Sequence, residues 1–570
     1  MVSVNFITKI VALIIITFTV SHLEAATYYV SSSTGNDVNT GISSALPWKS
    51  INKINTATLS SGDSVLFKRG DTWRGQLLPK SGDASGDIYY GAYSVGAKPT
   101  LLGSVNLNNT SDWISIGTDL WQCNTTFNTD IGNIIFDNSN SVGHKKWNQN
   151  ELLNQDDFWY NLNTGEVQLF STSNPATLHT EIELALRKDI VHLANTNFIT
   201  FENLNIKYGG AHGFGGGNTS FITISSCDMS YIGGGDLNMN AMIRYGNGVE
   251  FWGNALNNTV EKCKIWEIYD TGVSNQNHTI TAVQKNIRYS NNIIWNCGMS
   301  SFEYWNRPQT STLSDIFFEN NTCLYAGSGW GNQRPDYHGI HILTGTNTAQ
   351  TDSVFIRNNI FYNAQRAIYA IVDNINGYDK LTINHNLIFQ PAETDTLFVF
   401  FPSITTYTYG SFTTYTSTTG KDVNSLVGEP HFQDVLNLDF KLTNLSPAIN
   451  NGVIVNLSED FDGNARPLFG AYDIGAYEYS LPLSIEQKKN NSTSIYPNPT
   501  HEYFRVSFEP KYQLQVNLKV YSTTGRLVID IENYTSMDKI NIKSLSTGTY
   551  FIHLTSDIDT ITSGKIQVIR

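Results

Sequence analysis

From Phe198 onward the chain alternates apolar and polar positions in short runs that repeat. The runs FITFENLNIKYGG, FITISSCDMSYIGG, NTVEKCKIWEIYD, IRYSNNIIWNCG, IFFENNTCLYAG, VFIRNNIFYNAQ and LTINHNLIFQ recur at intervals of roughly 23 to 38 residues. Each has period-two alternation, a polar pair that is often Asn-Asn, an apolar stretch and a turn. No helical periodicity interrupts them and β-branched residues are abundant. Each repeat therefore predicts a β unit stacked on the next as a solenoid, with Asn and Cys positions forming internal ladders.

Each long strand is followed by a turn and a short strand: GVEFW (248–252), GVSNQ (272–276), SFEYW (301–305), GIHIL (339–343) and AIYAI (367–371). Aligned without gaps, their second position is always apolar: Val249, Val273, Phe302, Ile340 and Ile368. Side chains alternate faces along a strand, so this column is expected to face the core. The third position then faces outward and holds Glu250, Ser274, Glu303, His341 and Tyr369. The fifth shares that face with Trp252, Gln276, Trp305, Leu343 and Ile371.

The pattern breaks between about Asn106 and Arg187. There DFWYNLNTGEVQLFS carries two alternating runs around Asn-Thr-Gly, which predicts a hairpin in a small β-rich insertion. Its HKKW, with Lys145, is one of few basic clusters. After Tyr479 the chain becomes a polar linker, LPLSIEQKKNNSTS. At the other end, Lys9 precedes IVALIIITFTV and the small residues of LEAAT follow. This predicts a secretory signal over residues 1–26 rather than an anchor, because a bilayer span requires ~20 apolar residues.

A net charge of −14 excludes the basic footprint of a nucleic-acid binder. With 15% charged residues and abundant Asn, Ser, Thr, Gly and Tyr, the composition suits a secreted all-β protein. The five cysteines (Cys123, Cys227, Cys263, Cys297, Cys323) are odd in number and lie in apolar runs. They read as buried small hydrophobes, not as a disulfide framework or a metal site.

Three motif sets carry resemblances. TYYVSSSTGNDVNTG and GDSVLFKRGDTWRG resemble the opening of secreted right-handed parallel β-helix proteins, and SPAINNG with DIGAYEY resembles their closing segment. The resemblance implies a right-handed parallel β-helix over residues 27–480, with the insertion at about 106–187 and the linker at 481–493. SIYPNPTHEYFRVSF, LKVYSTTGRLV and LSTGTYFIHLTS resemble the C-terminal sorting domain of the Bacteroidetes type IX secretion system, a β-sandwich over residues 494–570. That implies handling by the secretion machinery and export to the surface or medium.

The outward columns suggest chemistry. Neighbouring strands lie ~4.8 Å apart, so Glu250 and Glu303, two rows apart, stand about 9–10 Å from each other, with small Ser274 leaving a gap. Inverting glycosidases hold two carboxyl groups ~6.5–9.5 Å apart with a water between them. His341, beside Glu303 in this alignment, is expected to carry a proton or to orient that carboxyl. Turns before the strands add Asp236, Asp336, His338 and Asp270, the last being the alternative to Glu250 as partner of Glu303, and His212 reaches the same rim. Capping a turn is the other reading of Asp270 and Asp236. Trp252 and Trp305 are expected as sugar platforms, and Arg307, Arg334 and Lys145 as partners for sulfate or carboxylate. Glu267 has no evident partner.

The region from Asp236 to His341 resembles β-helix glycoside hydrolases of the fucanase, fucosidase and xylanase type. The resemblance implies a secreted, endo-acting hydrolase of a marine polysaccharide, with sulfated fucan foremost; the residue roles rest on the alignment alone. A polysaccharide lyase is the alternative. Lyases of this fold usually take the proton beside a uronate with Lys or Arg, often with calcium, and the third column holds neither residue. A non-catalytic glycan-binding surface protein would keep the tryptophans without needing the carboxylates. No cofactor is expected, although the acidic turns leave a calcium ion open. The expected partner is the polysaccharide, with no nucleic acid, no membrane span in the mature chain and a monomeric state.

Overall fold

The two asparagines of each polar pair have different tasks. In the computed structural model Asn291, Asn320 and Asn358 adopt left-handed backbone, with φ of 54°, 54° and 58°. Asn tolerates that region better than most residues, so the chain turns there. The following asparagine is buried and bonds to its counterpart in the next repeat. The Nδ2 of Asn292 donates to Oδ1 of Asn321, Asn321 donates to Asn359, and Asn359 donates to Asn386, each at 3.1 Å. The ladder expected from the sequence is thus a continuous line of buried amides.

The structure describes residues 25–480 apart from 336–338, 374 and 402–404, and residues 494–569 apart from 508–515, 524–525 and 557–559. The apolar run of the expected signal and the expected linker lie outside the described residues. The chain divides into two compact units, Met1–Tyr479 and Ser480–Arg570.

The first unit is all-β with large, mainly parallel sheets. One sheet has 18 strands; the other has 10, all parallel and running in chain order from Thr72–Arg74 to Leu426–Val427. Val249, Val273, Phe302 and Ile342 from the larger sheet share a core with Ile265, Ile294 and Cys323 from the smaller one. All five cysteines are buried and free.

The strands Val249–Glu261, Thr271–Asn277 and Ser300–Asn306 pair in parallel as the alignment predicts. Val249 lies opposite Val273 and Val273 opposite Phe302, while Glu250 lies opposite Ser274 and Ser274 opposite Glu303. The next strand, Ile340–Asn347, departs from it by two residues: Ile342, not Ile340, faces Phe302, and Leu343, not His341, faces Glu303. One strand further, Ala370 rather than Tyr369 continues the glutamate column. The outward column is therefore Glu250, Ser274, Glu303, Leu343, Ala370. Tyr369 is turned into the core, and Leu343 and Ala370 join Ile340 and Met299 in an apolar cluster.

The segment around 106–187 folds on a core of its own, including Trp113, Ile134, Phe158 and Leu169. The expected hairpin forms within it, with Phe158 opposite Leu169 and Tyr160 opposite Val167 in antiparallel pairing. In the second unit, a sheet containing Tyr503–Ser507 and one containing Val516–Ser522 and Gly548–Ser556 share a core of Phe504, Val506, Leu518, Val520, Ile552 and Leu554. Among the described residues no helix is long and apolar enough to cross a membrane.

Candidate active site

Glu303 is held on its strand with its side chain outward yet only 6% exposed. Its Oε1 accepts the indole N–H of Trp305 at 3.0 Å, and its Oε2 accepts Nε2 of Gln276 at 2.8 Å. The Thr271 hydroxyl, 2.9 Å from that of Ser300, adds a longer contact of 3.4 Å to Oε2. Burial pushes the Glu303 carboxyl up to about 8, and the negative charges of Asp270 and Glu250 push in the same direction. Leu343, standing where His341 was expected, supplies apolar surface beside it. Glu303 is therefore a carboxyl that keeps its proton at neutral pH.

Glu250 is also buried, and burial raises it; Asp189 and Asp270 add to the effect while His212 opposes it. Its Oε2 receives Nδ2 of Asn247 at 2.6 Å and lies 3.3 Å from Nε2 of His212. The gap expected over Ser274 is bridged by the same Asn247 amide, 3.0 Å from the Ser274 hydroxyl. A third carboxylate, Asp270, pairs with the buried Arg334 at 3.0 Å. Arg334 lies against Tyr269, as does the half-buried Arg244.

The remaining expected site residues fall elsewhere. His341 is fully buried, with Nδ1 3.0 Å from the Ser301 hydroxyl and its ring against Phe361. Burial drags its pKa down to about 3, so it is a neutral imidazole of the interior. Both oxygens of Asp236 accept backbone N–H groups of its own loop, from Ala241 at 3.0 Å and Met242 at 3.1 Å. This is the turn-capping role.

Lys145 is buried in an ion pair with Asp130, and its ammonium also donates to the Ile131 carbonyl at 2.7 Å. Burial, opposed by Asp130, pulls it down to about 8. It ties the insertion together and presents no exposed cation. Asp336 and His338 lie outside the described residues. Glu267 has a clear structural task, accepting the Trp330 backbone N–H and the Asn296 amide, each at 2.8 Å.

The two tryptophans do not form parallel platforms. Their ring centroids are 5.7 Å apart at 87°, edge to face. Trp305 is the more tightly constrained. The exposed Arg307 guanidinium stacks over its ring at 4.6 Å, and a Cβ on Gly345 would come within 2.4 Å of the indole. Because the indole N–H favours the charged form of Glu303, Trp305→Phe should raise that carboxyl's pKa further. The expected result is an alkaline activity limb displaced upward, read from a pH–rate profile.

Asn247, Gln276, Thr271 and Asp189 belong to the site, and sequence reasoning assigned none of them a role there. Gln276 was visible in the fifth column between the two tryptophans. Asn247 lies in the turn before GVEFW, where only the pairing of strands brings it to Glu250. Among the described residues no group of three or more His, Cys, Asp or Glu side chains is arranged to hold a metal ion.

Three known proteins are similar to parts of this chain. A lacto-N-biosidase from Bifidobacterium longum subsp. longum is 43% identical over 75 residues, which is 12% of this chain and 5% of that protein's own length. A solved glycoside hydrolase is similar at 8% identity and a TM-score of 0.40, covering 66% of this chain and 95% of its own. A GH136 lacto-N-biosidase from Eubacterium ramulus is similar at 14% identity and a TM-score of 0.28, covering 66% of each chain. Residues 494–569 match the secretion system C-terminal sorting domain. The chain thus carries a type IX sorting signal and is exported to the cell surface or the medium.

Proposed function

We propose that the chain is a secreted glycoside hydrolase in which Glu303 is the general acid and Glu250 the general base. The observation that supports this most is the unequal environment of the two carboxyls. Glu303 sits against apolar Leu343 and two negative neighbours, which keep it protonated. Glu250 is raised by burial too, and by Asp189 and Asp270, but the Asn247 amide donates to it and the His212 ring nitrogen lies 3.3 Å away, and both favour its ionised form. Both flank the same residue, Ser274, so two strand spacings of ~4.8 Å separate them, close to the ~6.5–9.5 Å of an inverting pair. Glu303 would protonate the glycosidic oxygen while Glu250 draws a proton from a water on the opposite face of the sugar.

Two further parts belong to this reading. The stacked parallel strands, running in chain order, support a right-handed parallel β-helix as the scaffold. The exposed Arg307 over Trp305 favours an anionic polymer, with sulfated fucan cleaved internally as the leading substrate. The short match to a Bifidobacterium lacto-N-biosidase makes glycans containing lacto-N-biose the second class to test.

The test is product analysis on fucans, carrageenans, alginates, xylans and glycans containing lacto-N-biose. Release of reducing ends without new ultraviolet absorbance is expected. An unsaturated uronate chromophore in the products would move the assignment to a lyase, and binding without cleavage would move it to a glycan-binding protein. With Glu303 as acid, the rate should fall as pH rises through about 8, where that carboxyl ionises. A rate that stays flat across this range would remove Glu303 from the acid role.

A further inference from the structure

The amide of Asn247 and the ring of His212 together set the state of Glu250. The backbone N–H of Asn247 donates to Nδ1 of His212 at 3.0 Å. A ring nitrogen that accepts a hydrogen bond carries a lone pair there, so the imidazole proton resides on Nε2. Nε2 lies 3.3 Å from Oε2 of Glu250.

The side chain of Asn247 is itself fixed in orientation. Its Oδ1 accepts the backbone N–H of Thr271 at 3.0 Å, which leaves Nδ2 as the group that donates to Oε2 of Glu250 at 2.6 Å. One oxygen of Glu250 therefore receives the Asn247 amide and has the His212 Nε2 3.3 Å away, and a backbone N–H fixes the orientation of each of these groups. Behind the ring, Oδ1 of Asp189 receives the His212 backbone N–H at 3.4 Å, while its Oδ2 is 2.9 Å from Nδ1 of His192. The Tyr245 ring packs edge-on to the imidazole at 5.2 Å.

We propose that His212 is a positioning residue rather than a sugar contact, donating its Nε2 proton to one oxygen of Glu250 so that the other is aimed at water. This rests on the hydrolase reading for its catalytic meaning, but not for the proton's location. The charged and titratable groups facing the pair are Asp189 and His192 behind the ring, Tyr245 at its edge, and Asp270 and Glu303 toward the other carboxyl. Of these, Asp189, Asp270 and Glu303 bear or gain negative charge, so the Asn247 amide and the nearby His212 imidazole are the groups that favour the Glu250 carboxylate.

Two measurements test it. In the full chain labelled with imidazole ¹⁵N-histidine, the His212 resonances, assigned by their loss in His212→Gln, should show a protonated Nε2 and an unprotonated Nδ1. A proton on Nδ1 overturns the proposal whether or not any substrate is known. On the glycan identified by product analysis, His212→Phe should lower kcat by roughly 10- to 150-fold, the value of a hydrogen bond to a charged group, with KM unchanged. Its acid limb should move to higher pH because the Glu250 carboxylate loses a donor.

Partial recovery in His212→Gln, whose amide keeps an N–H, supports positioning, and it keeps the test decisive if the Phe variant does not fold. A raised KM at unchanged kcat would make His212 a substrate contact and overturn the proposal. Absence of hydrolysis by the unmodified chain on every glycan would sink the hydrolase reading alone, while the ¹⁵N result still decides the proton's position.

Discussion

Glu303→Gln should lower kcat by about 10²–10⁴-fold, the usual contribution of a positioned proton donor, while making the folded chain relatively more stable as pH rises. The two effects share one cause. In the folded chain Glu303 holds its proton up to about 8, against an ordinary value of 4.5. Between those values the folded form binds a proton that the unfolded form has released. Its contribution to stability is complete below about 4.5 and is lost as pH climbs through 8. Glutamine does not titrate, so the difference in stability between variant and parent should shift in the variant's favour across that window and level off above it.

The substitution also has a fixed cost. Trp305 and Gln276 donate to the two different oxygens, and the amide nitrogen of glutamine cannot accept from one of them. That lost bond amounts to about 1 kcal/mol and does not vary with pH. The diagnostic is therefore the slope of ΔΔG against pH from urea unfolding, not its absolute value. A variant that loses activity with no such slope would mean that Glu303 is ionised in the folded state, and its role as acid would fall.

The alternation of apolar residues was sufficient to order the first three rows of the site, because GVEFW, GVSNQ and SFEYW pair without a slip. It failed at GIHIL for a physical reason. A strand displaced by one residue turns every side chain to the other face, but a displacement of two restores the same alternation. Ile340 and Ile342 are both apolar, so the sequence has no signal to distinguish which faces Phe302; pairing places Ile342 there. AIYAI is apolar throughout and offers no alternation at all, so Tyr369 was assigned outward although it lies in the core.

The bonds that define the site were less legible still. Asn247 reaches His212, Glu250, Thr271 and Ser274, which are 35, 3, 24 and 27 positions away along the chain. A local pattern cannot predict such a bridge. The slip at GIHIL also changed the chemistry inferred: a histidine was expected beside Glu303 to carry a proton or orient the carboxyl, whereas Leu343 can do neither and only adds apolar surface.

Asn321→Ala should destabilise the first unit by about 3 kcal/mol, although it removes only a small polar side chain. Asn321 is fully buried in the amide ladder. Its Oδ1 accepts both the backbone N–H of Asn292 at 2.9 Å and the Asn292 amide at 3.1 Å. Its Nδ2 donates to the Tyr289 carbonyl at 3.0 Å and to Oδ1 of Asn359 at 3.1 Å. Alanine leaves the Asn292 backbone N–H without that acceptor and the Tyr289 carbonyl without that donor, away from water, where each orphaned group costs about 1–3 kcal/mol.

A surface counterpart isolates burial as the cause. Asn286 makes the same kind of amide contact, to Asn257 at 2.8 Å, but is exposed. Glycine is the appropriate replacement there because Asn286 sits at φ 53°, where alanine would add strain. Asn286→Gly should change the urea midpoint by no more than about 0.5 kcal/mol equivalent. Because the Asn321 amide is bonded to Asn292 and Asn359, its loss should also loosen those two rows, giving faster amide exchange there than at rows further along the sheet. Equal costs for the two variants would mean that the ladder contributes no more than a surface contact, and that the stack is held by its apolar core alone.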